Sequence, residues 1–247
     1  MKTPNLASTA RTLKLFERYY YGKHTFIGGT VLFHQLCSDH IAKGSTILEI
    51  GPGPTNQTTW HLSTIGPVKG VDISNEVNEN SDLVACHVYD GKTLPFESNS
   101  FDACVSNYVL EHIERPSNHF KEVARILKPG GVYCFRTPNL FHYVSLLSWT
   151  LPNCVHKRLA NRVRGLGPEA HDPYPCFYRT NNRHRIKALI RGTRLNESRL
   201  MMVEKEPSYG RAHALLFFPM FAYERLVNSS DLFADLRANI FGVLTKR

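Results

Sequence analysis

Short apolar runs, rich in β-branched residues, alternate along this chain with segments whose apolar residues recur at helical spacing. The runs 45–50, 68–71 and 131–136 each predict a buried strand. Residues 120, 123, 124 and 127 are apolar at i, i+3, i+4 and i+7, which predicts an amphipathic helix before the Pro-Gly-Gly at 129–131. The alternation indicates an α/β protein with a largely parallel sheet.

The flanking segments follow a different pattern. Residues 6–41 carry aromatic and aliphatic residues at helical spacing, which predicts two leading helices. The run Tyr19-Tyr20-Tyr21 between them could lie over a ligand, although packing against the core is favoured. After residue 138 we expect an aromatic and then basic insertion, followed by a helix at 182–191, a strand at 200–203, a helix at 211–227 and a last strand at 238–245.

The first strand runs into a glycine turn that favours a nucleotide-type site. Gly51 and Gly53 let the backbone approach a ligand closely, and the next helix presents unpaired N–H groups. Thr55 and Asn56 can cap that helix. Asp72, at the end of the second strand, is placed to accept hydrogen bonds from a ribose diol. The pattern predicts an adenosine-containing cofactor.

The turn departs from two common nucleotide-binding patterns. A dinucleotide turn requires a third glycine where this chain has Asn56, and the Gly-Lys-Ser/Thr of a phosphate loop is missing. The carboxylate of Glu49 would repel a pyrophosphate and attract a cationic ligand.

Six short segments of this chain resemble motifs of the class I S-adenosylmethionine-dependent methyltransferases and occur in the same order as in that family. The resemblance is to the type 11 branch, which has Leu-Pro-Phe and Leu-Glu-His signatures. Thr55 departs from the family's third small residue. A weaker resemblance, through 136–139, 172–179 and 223–226, is to bacterial members associated with surface-polysaccharide biosynthesis. The six segments are 49–53, 70–74, 90–96, 100–107, 110–112 and 127–131.

The resemblance implies a single domain, 1–247, with a Rossmann-like three-layer sandwich. Its seven-stranded sheet would be mostly parallel with an antiparallel last strand. The predicted parts are N-terminal helices (1–42), a cofactor-binding core (43–137), a substrate cap insertion (138–198), and C-terminal strands with an aromatic helix (199–247). The family's cofactor contacts would fall on Glu49, Gly51, Pro52, Gly53, Asp72, Ile73, Asp90, Gly91 and Asn107, with Asp90 accepting the adenine amino group.

The acceptor chemistry rests on fewer residues. S-adenosylmethionine carries an activated methyl group, and an oxygen acceptor would also need a base. His142 and His112 are the candidate bases, although each of the twelve histidines is more often structural or exposed to solvent. Tyr143, His171 and Arg179 are candidate substrate contacts. No cysteine or histidine spacing indicates a metal site.

The net charge and the length of the apolar runs narrow the range of possible binding partners and cell compartments. The net charge is +9, and 156–199 hold eleven Lys and Arg against three Asp and Glu. A solvated helical face is the ordinary explanation, while a phosphate-bearing acceptor, an anionic membrane or RNA are the functional ones. Six unpaired cysteines, no secretory segment and no apolar run long enough to span a bilayer favour the cytoplasm, with peripheral contact at the inner membrane face a further option.

Three functions from different classes follow. The first is O-methylation of a small molecule, a glycan or a lipid-linked sugar. The second is RNA methylation, suggested by the basic segment but lacking a recognisable RNA-binding motif. The third is a non-catalytic scaffold, which the Thr55 departure keeps open. A NAD-dependent oxidoreductase is a weaker alternative, because the 90–96 segment has no role in it.

Overall fold

The computed structural model describes residues 10–150, 174–206 and 214–247. The chain divides into two compact units. One, which we call the sheet unit, comprises residues 30–140, 176–202 and 239–247. The other, the helical unit, comprises residues 1–29, 141–175 and 203–238. Each is described separately.

The sheet unit is built on one seven-stranded sheet in the order β3-β2-β1-β4-β5-β7-β6. The pairs β1·β2, β1·β4, β2·β3 and β4·β5 are parallel, while β5 and β7 are antiparallel. The predicted Rossmann-like α/β fold, with its antiparallel last strand, is therefore confirmed. The strands are β1 (Ile47–Ile50), β2 (Val68–Asp72), β3 (Ala85–Val88), β4 (Phe101–Asn107), β5 (Leu127–Pro138), β6 (Leu195–Val203) and β7 (Asn239–Lys246).

Four helices accompany these strands in the sequence of the sheet unit. The first turn of α3 is capped by Asn56, whose side chain accepts the N–H groups of Thr58 and Thr59. Of the two residues that the sequence offered as caps, Asn56 takes this role. The helices are α2 (Gly29–His40), α3 (Gln57–Ser63), α4 (Pro116–Ile126) and α6 (Arg183–Ile190).

Two boundaries differ from the sequence prediction. The strand β5 begins at Leu127, directly after α4, so the Pro-Gly-Gly at 129–131 lies inside the strand instead of before it. β6 begins at Leu195 and not at residue 200. Its first half is largely polar and exposed, so hydrophobic periodicity could not reveal it.

The helical unit is held by an aromatic cluster. Phe16, Tyr20 and Phe217 are buried together, and the hydroxyl of Tyr20 donates to Oε2 of Glu224 at 3.1 Å. Packing is thus the role of this tyrosine, as the sequence favoured. The elements are α1 (Ala10–Phe16), a π-helical turn (Glu17–Tyr21), α5 (Tyr143–Thr150), α7 (Ala214–Asn228) and a 3₁₀ helix (Asp231–Leu236).

Among the described residues, no helix combines the length and the apolar composition needed to cross a bilayer.

The pairing of β5 with β7 depends on one close contact. Gly242 lies opposite Phe135 in the register, and a Cβ added to Gly242 would overlap the ring of Phe135. We therefore expect Gly242→Ala to lower the free energy of unfolding by about 1–3 kcal/mol, since the ring must move within a packed core. Denaturant unfolding measures this difference. Gly192→Ala is the matched control, because no atom lies within 4 Å of its Cβ position. Equal stability of the two variants would contradict the account.

Candidate functional site

The turn between β1 and α3 is fixed by its backbone. Gly51 and Gly53 both have positive φ, at 70° and 60°. The N–H of Gly51 donates to the carbonyl of Val71 at 2.8 Å, and that of Gly53 donates to Oδ2 of Asp72 at 2.9 Å. The carboxyl end of β2 thus holds the turn that leaves β1.

The two glycines face different surroundings. A Cβ on Gly51 would lie 2.6 Å from Cγ2 of Val109, so this position must stay small for packing. A Cβ on Gly53 would meet no atom within 4 Å. The backbone at Gly53 therefore borders open space, as a cradle for a ligand requires.

Asp72 is buried and oriented by the backbone. Its Oδ2 accepts the N–H of Gly53, and its Oδ1 accepts that of Ser74 at 2.9 Å. Each carboxylate oxygen can accept a further hydrogen bond. The acid predicted to hold a ribose is therefore fixed at the carboxyl end of the sheet, beside the glycine turn.

Glu49 is a buried acid on β1. Burial raises the pKa of its carboxyl to about 7, the nearby carboxylates of Asp72 and Asp82 also raise it, and a hydrogen bond with Thr59 acts in the opposite direction. Within the part of the chain that the structure describes, its Oε2 has no hydrogen-bond partner. A cation placed beside this oxygen would stabilise the ionised form.

Asn107 ends β4 with a second unsatisfied acceptor. Its Nδ2 donates to Oγ1 of Thr58 at 3.0 Å, while its buried Oδ1 has no partner among the described residues. Through Thr58 and Thr59, the first turn of α3 therefore connects to both Asn107 and Glu49.

The next residue, Tyr108, was not identified from the sequence. It has φ of 59°, which is unusual for a bulky side chain and is typical of constrained sites. Its hydroxyl donates to Oδ1 of Asn239, and the guanidinium carbon of Arg136 lies 4.4 Å from its ring centroid. The sequence places Tyr108 directly after a predicted strand, which is where ligand contacts are expected in this kind of sheet. Its positive φ, however, cannot be deduced from the residue type.

The Asp90 loop follows β3. Oδ1 of Asp90 accepts the N–H groups of Lys92 at 2.9 Å and Thr93 at 3.3 Å, and these hydrogen bonds hold the pKa of the exposed carboxyl below its usual range. Gly91 has φ of 74°, and its Cβ position lies 3.4 Å from Cγ2 of Ile73. Ile73 is half exposed, so an apolar surface stands beside the two aspartates.

A salt bridge on α4 fixes the rest of this loop. Glu122 accepts the N–H of Leu94 at 3.0 Å and pairs with Arg125 at 2.8 Å. Arg125 donates to the carbonyls of Phe96 at 2.7 Å and Leu94 at 2.9 Å. The sequence does not reveal this role, because the loop groups that the two side chains bind lie about thirty positions away.

His112 and Arg179 lie in the sheet unit. His112 is half buried, and its Nδ1 lies 3.6 Å from Sγ of Cys176. Arg179 donates to the carbonyl of Glu114 at 2.6 Å. The N–H of Phe177 donates to the carbonyl of Glu111 at 2.8 Å, so the segment at 176–179 is anchored beside the candidate base.

His142 and Tyr143 lie in the helical unit. Nε2 of His142 is 3.5 Å from Oε2 of Glu204, and only 6% of the residue is exposed. Burial lowers the pKa of His142 to about 4 and raises that of Glu204 to about 8. Burial thus favours the neutral form of both groups. The Tyr143 ring packs against the imidazole, with 4.2 Å between centroids, whereas His171 lies outside the described residues.

In the described ranges 10–150, 174–206 and 214–247, no three His, Cys, Asp or Glu side chains are grouped so that they could hold a metal ion.

Comparison with known proteins identifies the central segment. Residues 48–135, about a third of the chain, match the protein family described as a methyltransferase domain. The strands β2, β3 and β4, with most of β1 and of β5, fall within it.

Individual relatives cover parts of the chain. A demethylmenaquinone methyltransferase from Corynebacterium efficiens is 39% identical over 87 residues, which are 34% of this chain and 37% of that protein. An uncharacterised methyltransferase from Mycobacterium avium is 25% identical over 153 residues, 51% of this chain and 56% of the relative. The chain thus spans about half or less of the length of these curated relatives.

A solved structure extends the likeness of the fold. The S-adenosylmethionine-dependent methyltransferase from Mesorhizobium loti superposes with a TM-score of 0.55 at 16% identity. The superposition covers 89% of this chain and 98% of that one, and it concerns the fold.

The buried acid of β1 has a testable cost. The pKa of the Glu49 carboxyl is raised in the folded protein, so the folded state binds this proton more tightly than the unfolded state does. The resulting contribution to the free energy of unfolding is complete below about pH 4.5 and is lost as the pH rises to about 7. We expect Glu49→Gln to be more stable than the parent at pH 8, by up to about 3 kcal/mol, with little difference at low pH. Chemical denaturation across the pH range measures the difference. Glu79→Gln, at an exposed site, is the control, and a parallel gain in that variant would refute the assignment.

Proposed function

We propose that this chain is an S-adenosylmethionine-dependent methyltransferase. The observation that carries the proposal is a pair of buried oxygens, on Glu49 and Asn107, that have no hydrogen-bond partner among the described residues, in a site whose glycine turn borders open space. Unsatisfied buried acceptors are costly, and a cationic ligand with amine hydrogens would satisfy them. S-adenosylmethionine carries both a sulfonium and an ammonium group.

The remaining residues suit the rest of that molecule. Asp72 would accept the ribose hydroxyls, and Asp90 would accept the adenine amino group. Ile73, half exposed between them, offers an apolar face for the adenine ring. Gly53 would let the backbone approach the ligand, and Pro52 and Gly91 shape the two loops. The bound cofactor would supply an activated methyl group, while the protein aligns the acceptor and excludes water.

For the acceptor we propose a hydroxyl on a small molecule or glycan, with a phosphate group as an anchoring feature. Arg179 and the neighbouring basic residues support a negatively charged acceptor, and Tyr143 and His171 are the further proposed contacts. The proposal of a lipid-linked or surface-polysaccharide precursor follows from the weaker sequence resemblance. The quinone substrate class of the Corynebacterium relative is the second candidate, although the matched part covers 34% of this chain.

We assign the base role to His112 in preference to His142. His112 is half exposed and follows β4 by five residues, in the same unit as the proposed cofactor contacts. His142 is buried, burial lowers its pKa to about 4, and its Nε2 faces the carboxyl group of Glu204 at 3.5 Å. A base must reach the acceptor hydroxyl directly or through one water, which burial opposes.

Cofactor binding is the first test. We expect the full chain to bind S-adenosylmethionine and S-adenosylhomocysteine but not NAD in isothermal titration calorimetry. Gly53→Ala should weaken that binding at least about tenfold, because a methyl group would occupy the ligand's space. Gly44→Ala is a matched control, since Gly44 also has positive φ, at 82°, and no atom within 4 Å of its Cβ position, but precedes β1.

Equal losses in the two glycine variants would indicate backbone strain instead of a blocked cradle. The absence of any binding by the parent chain would leave the scaffold alternative.

Methyl transfer is the second test. Transfer of labelled methyl from S-adenosylmethionine is measured with nucleoside diphosphate sugars, lipid-linked sugars, a demethylated quinol and tRNA. With an active hydroxyl acceptor, His112→Gln should lower kcat by about 10²–10⁴-fold without changing S-adenosylhomocysteine affinity. His184→Gln, an exposed histidine on α6, is the control. An unchanged kcat in His112→Gln would remove the base assignment, and activity on tRNA alone would favour the RNA alternative.

A further inference from the structure

A basic groove lies at the edge of the sheet where the parallel strands begin. Its volume is about 630 Å³. The loops before β4 and β6, the outer part of α4 and the end of β7 meet there. Because β7 is antiparallel to β5, its last residues lie at the same edge as the first residues of β5. The lining residues are Ser98, Asn99, Lys121, Ala124, Arg125, 191–194 and Lys246.

One cation of this groove is buried against neutral groups. Lys246 is 5% exposed, and its Nζ donates to the carbonyl of Leu127 at 2.6 Å, to Oδ1 of Asn99 at 2.7 Å and to the carbonyl of Arg125 at 3.4 Å. Burial and the charge of Arg194 lower the pKa of the Lys246 ammonium. These partners orient the charge without neutralising it, so an anion in the groove would be attracted.

Three further cations of the groove are exposed and have no acidic partner among the described residues. Lys121, Arg191 and Arg194 are exposed, and none forms an ion pair within the described part of the chain. Arg125 is the exception, since it is paired with Glu122. Among the described residues that line the groove, five are Lys or Arg and none is Asp or Glu.

We propose that this groove binds a small molecule carrying two or more phosphate groups. Its volume falls in the range of about 300–1,000 Å³ that is typical of small-molecule sites. Arginine side chains contributed by one loop and lysines from two other elements surround a single space, which suits an anion with several charged oxygens. A singly charged anion would engage only part of this set.

The lining argues against larger anionic partners. No aromatic side chain lines the groove within the described residues, so it lacks the stacking surface on which single-stranded nucleic acids rely. Among the described lining residues, Ala124 is the single aliphatic side chain and it is buried, so the groove lacks the large apolar side chains that insert into a membrane.

The site is independent of the proposed methyl transfer. The proposed cofactor contacts lie at the carboxyl ends of the strands, whereas the groove lies where the strands begin. The strand β4 runs from one edge to the other and is seven residues long, which corresponds to roughly 20 Å. A ligand in the groove is therefore neither the methyl donor nor the reacting part of the acceptor.

The test is isothermal titration calorimetry of the full chain with inorganic tripolyphosphate and with orthophosphate, at about 0.15 M salt. We expect tripolyphosphate to bind more tightly than orthophosphate. The double variant Arg191→Gln/Arg194→Gln should lose at least about tenfold in tripolyphosphate affinity. The control double variant Arg115→Gln/Arg199→Gln removes the same charge from exposed positions outside the groove and should change the affinity less than about twofold.

Two further titrations test whether the phosphate groups belong to a small molecule, a lipid headgroup or RNA. Vesicles with a phosphorylated inositol headgroup and a short single-stranded RNA are tested with the same variants. The proposal is overturned if tripolyphosphate does not bind, if both double variants lose affinity equally, or if only vesicles or RNA bind through Arg191 and Arg194. Unchanged S-adenosylhomocysteine binding, or an unchanged thermal midpoint if that ligand does not bind, shows that the variants are folded.

Discussion

The hydrogen bond from the Gly53 N–H to the Asp72 carboxylate joins the ends of two neighbouring strands, β1 and β2. Strand pairing between β1 and β2 alone would leave the following loop free to move. The carboxylate fixes the turn because a charged acceptor binds an N–H group more strongly than a neutral one does. Asn56 then caps α3, and α3 in turn carries the hydroxyls that contact Asn107 and Glu49. The position of the candidate site follows from this sequence of contacts.

The carboxyl ends of the strands also concentrate features that weaken the folded state. Glu49 and Asn107 keep buried oxygens without partners among the described residues, and Tyr108 has a positive φ. Each would be easier to accommodate with a different residue in a purely structural sheet. The surrounding core compensates, since β1 is buried along its whole length and α4 fixes the Asp90 loop. Costly groups held by a stable frame are typical of ligand sites.

Local patterns account for the part of the structure that the sequence could predict. The strands β1 and β2, the glycine turn and the Asn56 cap each depend on neighbouring residues, so a short window contains their signal. The start of β6 was missed because its polar first half becomes a strand only through pairing in the sheet. Tyr108 was missed because its positive φ does not follow from its residue type, and the role of Glu122 and Arg125 was missed because the Asp90 loop that they hold is distant in the sequence. Of the two candidate bases, only the structure shows that His142 is buried against Glu204.

The antiparallel insertion of β7 has a consequence for the order of folding. β7 lies between β5 and β6, so the sheet cannot close until residues 239–246 have been synthesised. Until then, the growing chain presents two unpaired strand edges, one on β5 and one on β6. Such edges readily pair with other chains. A nascent chain that stalls before residue 239 would therefore expose the edge of β5, an interior strand of the finished sheet, to pairing with other chains.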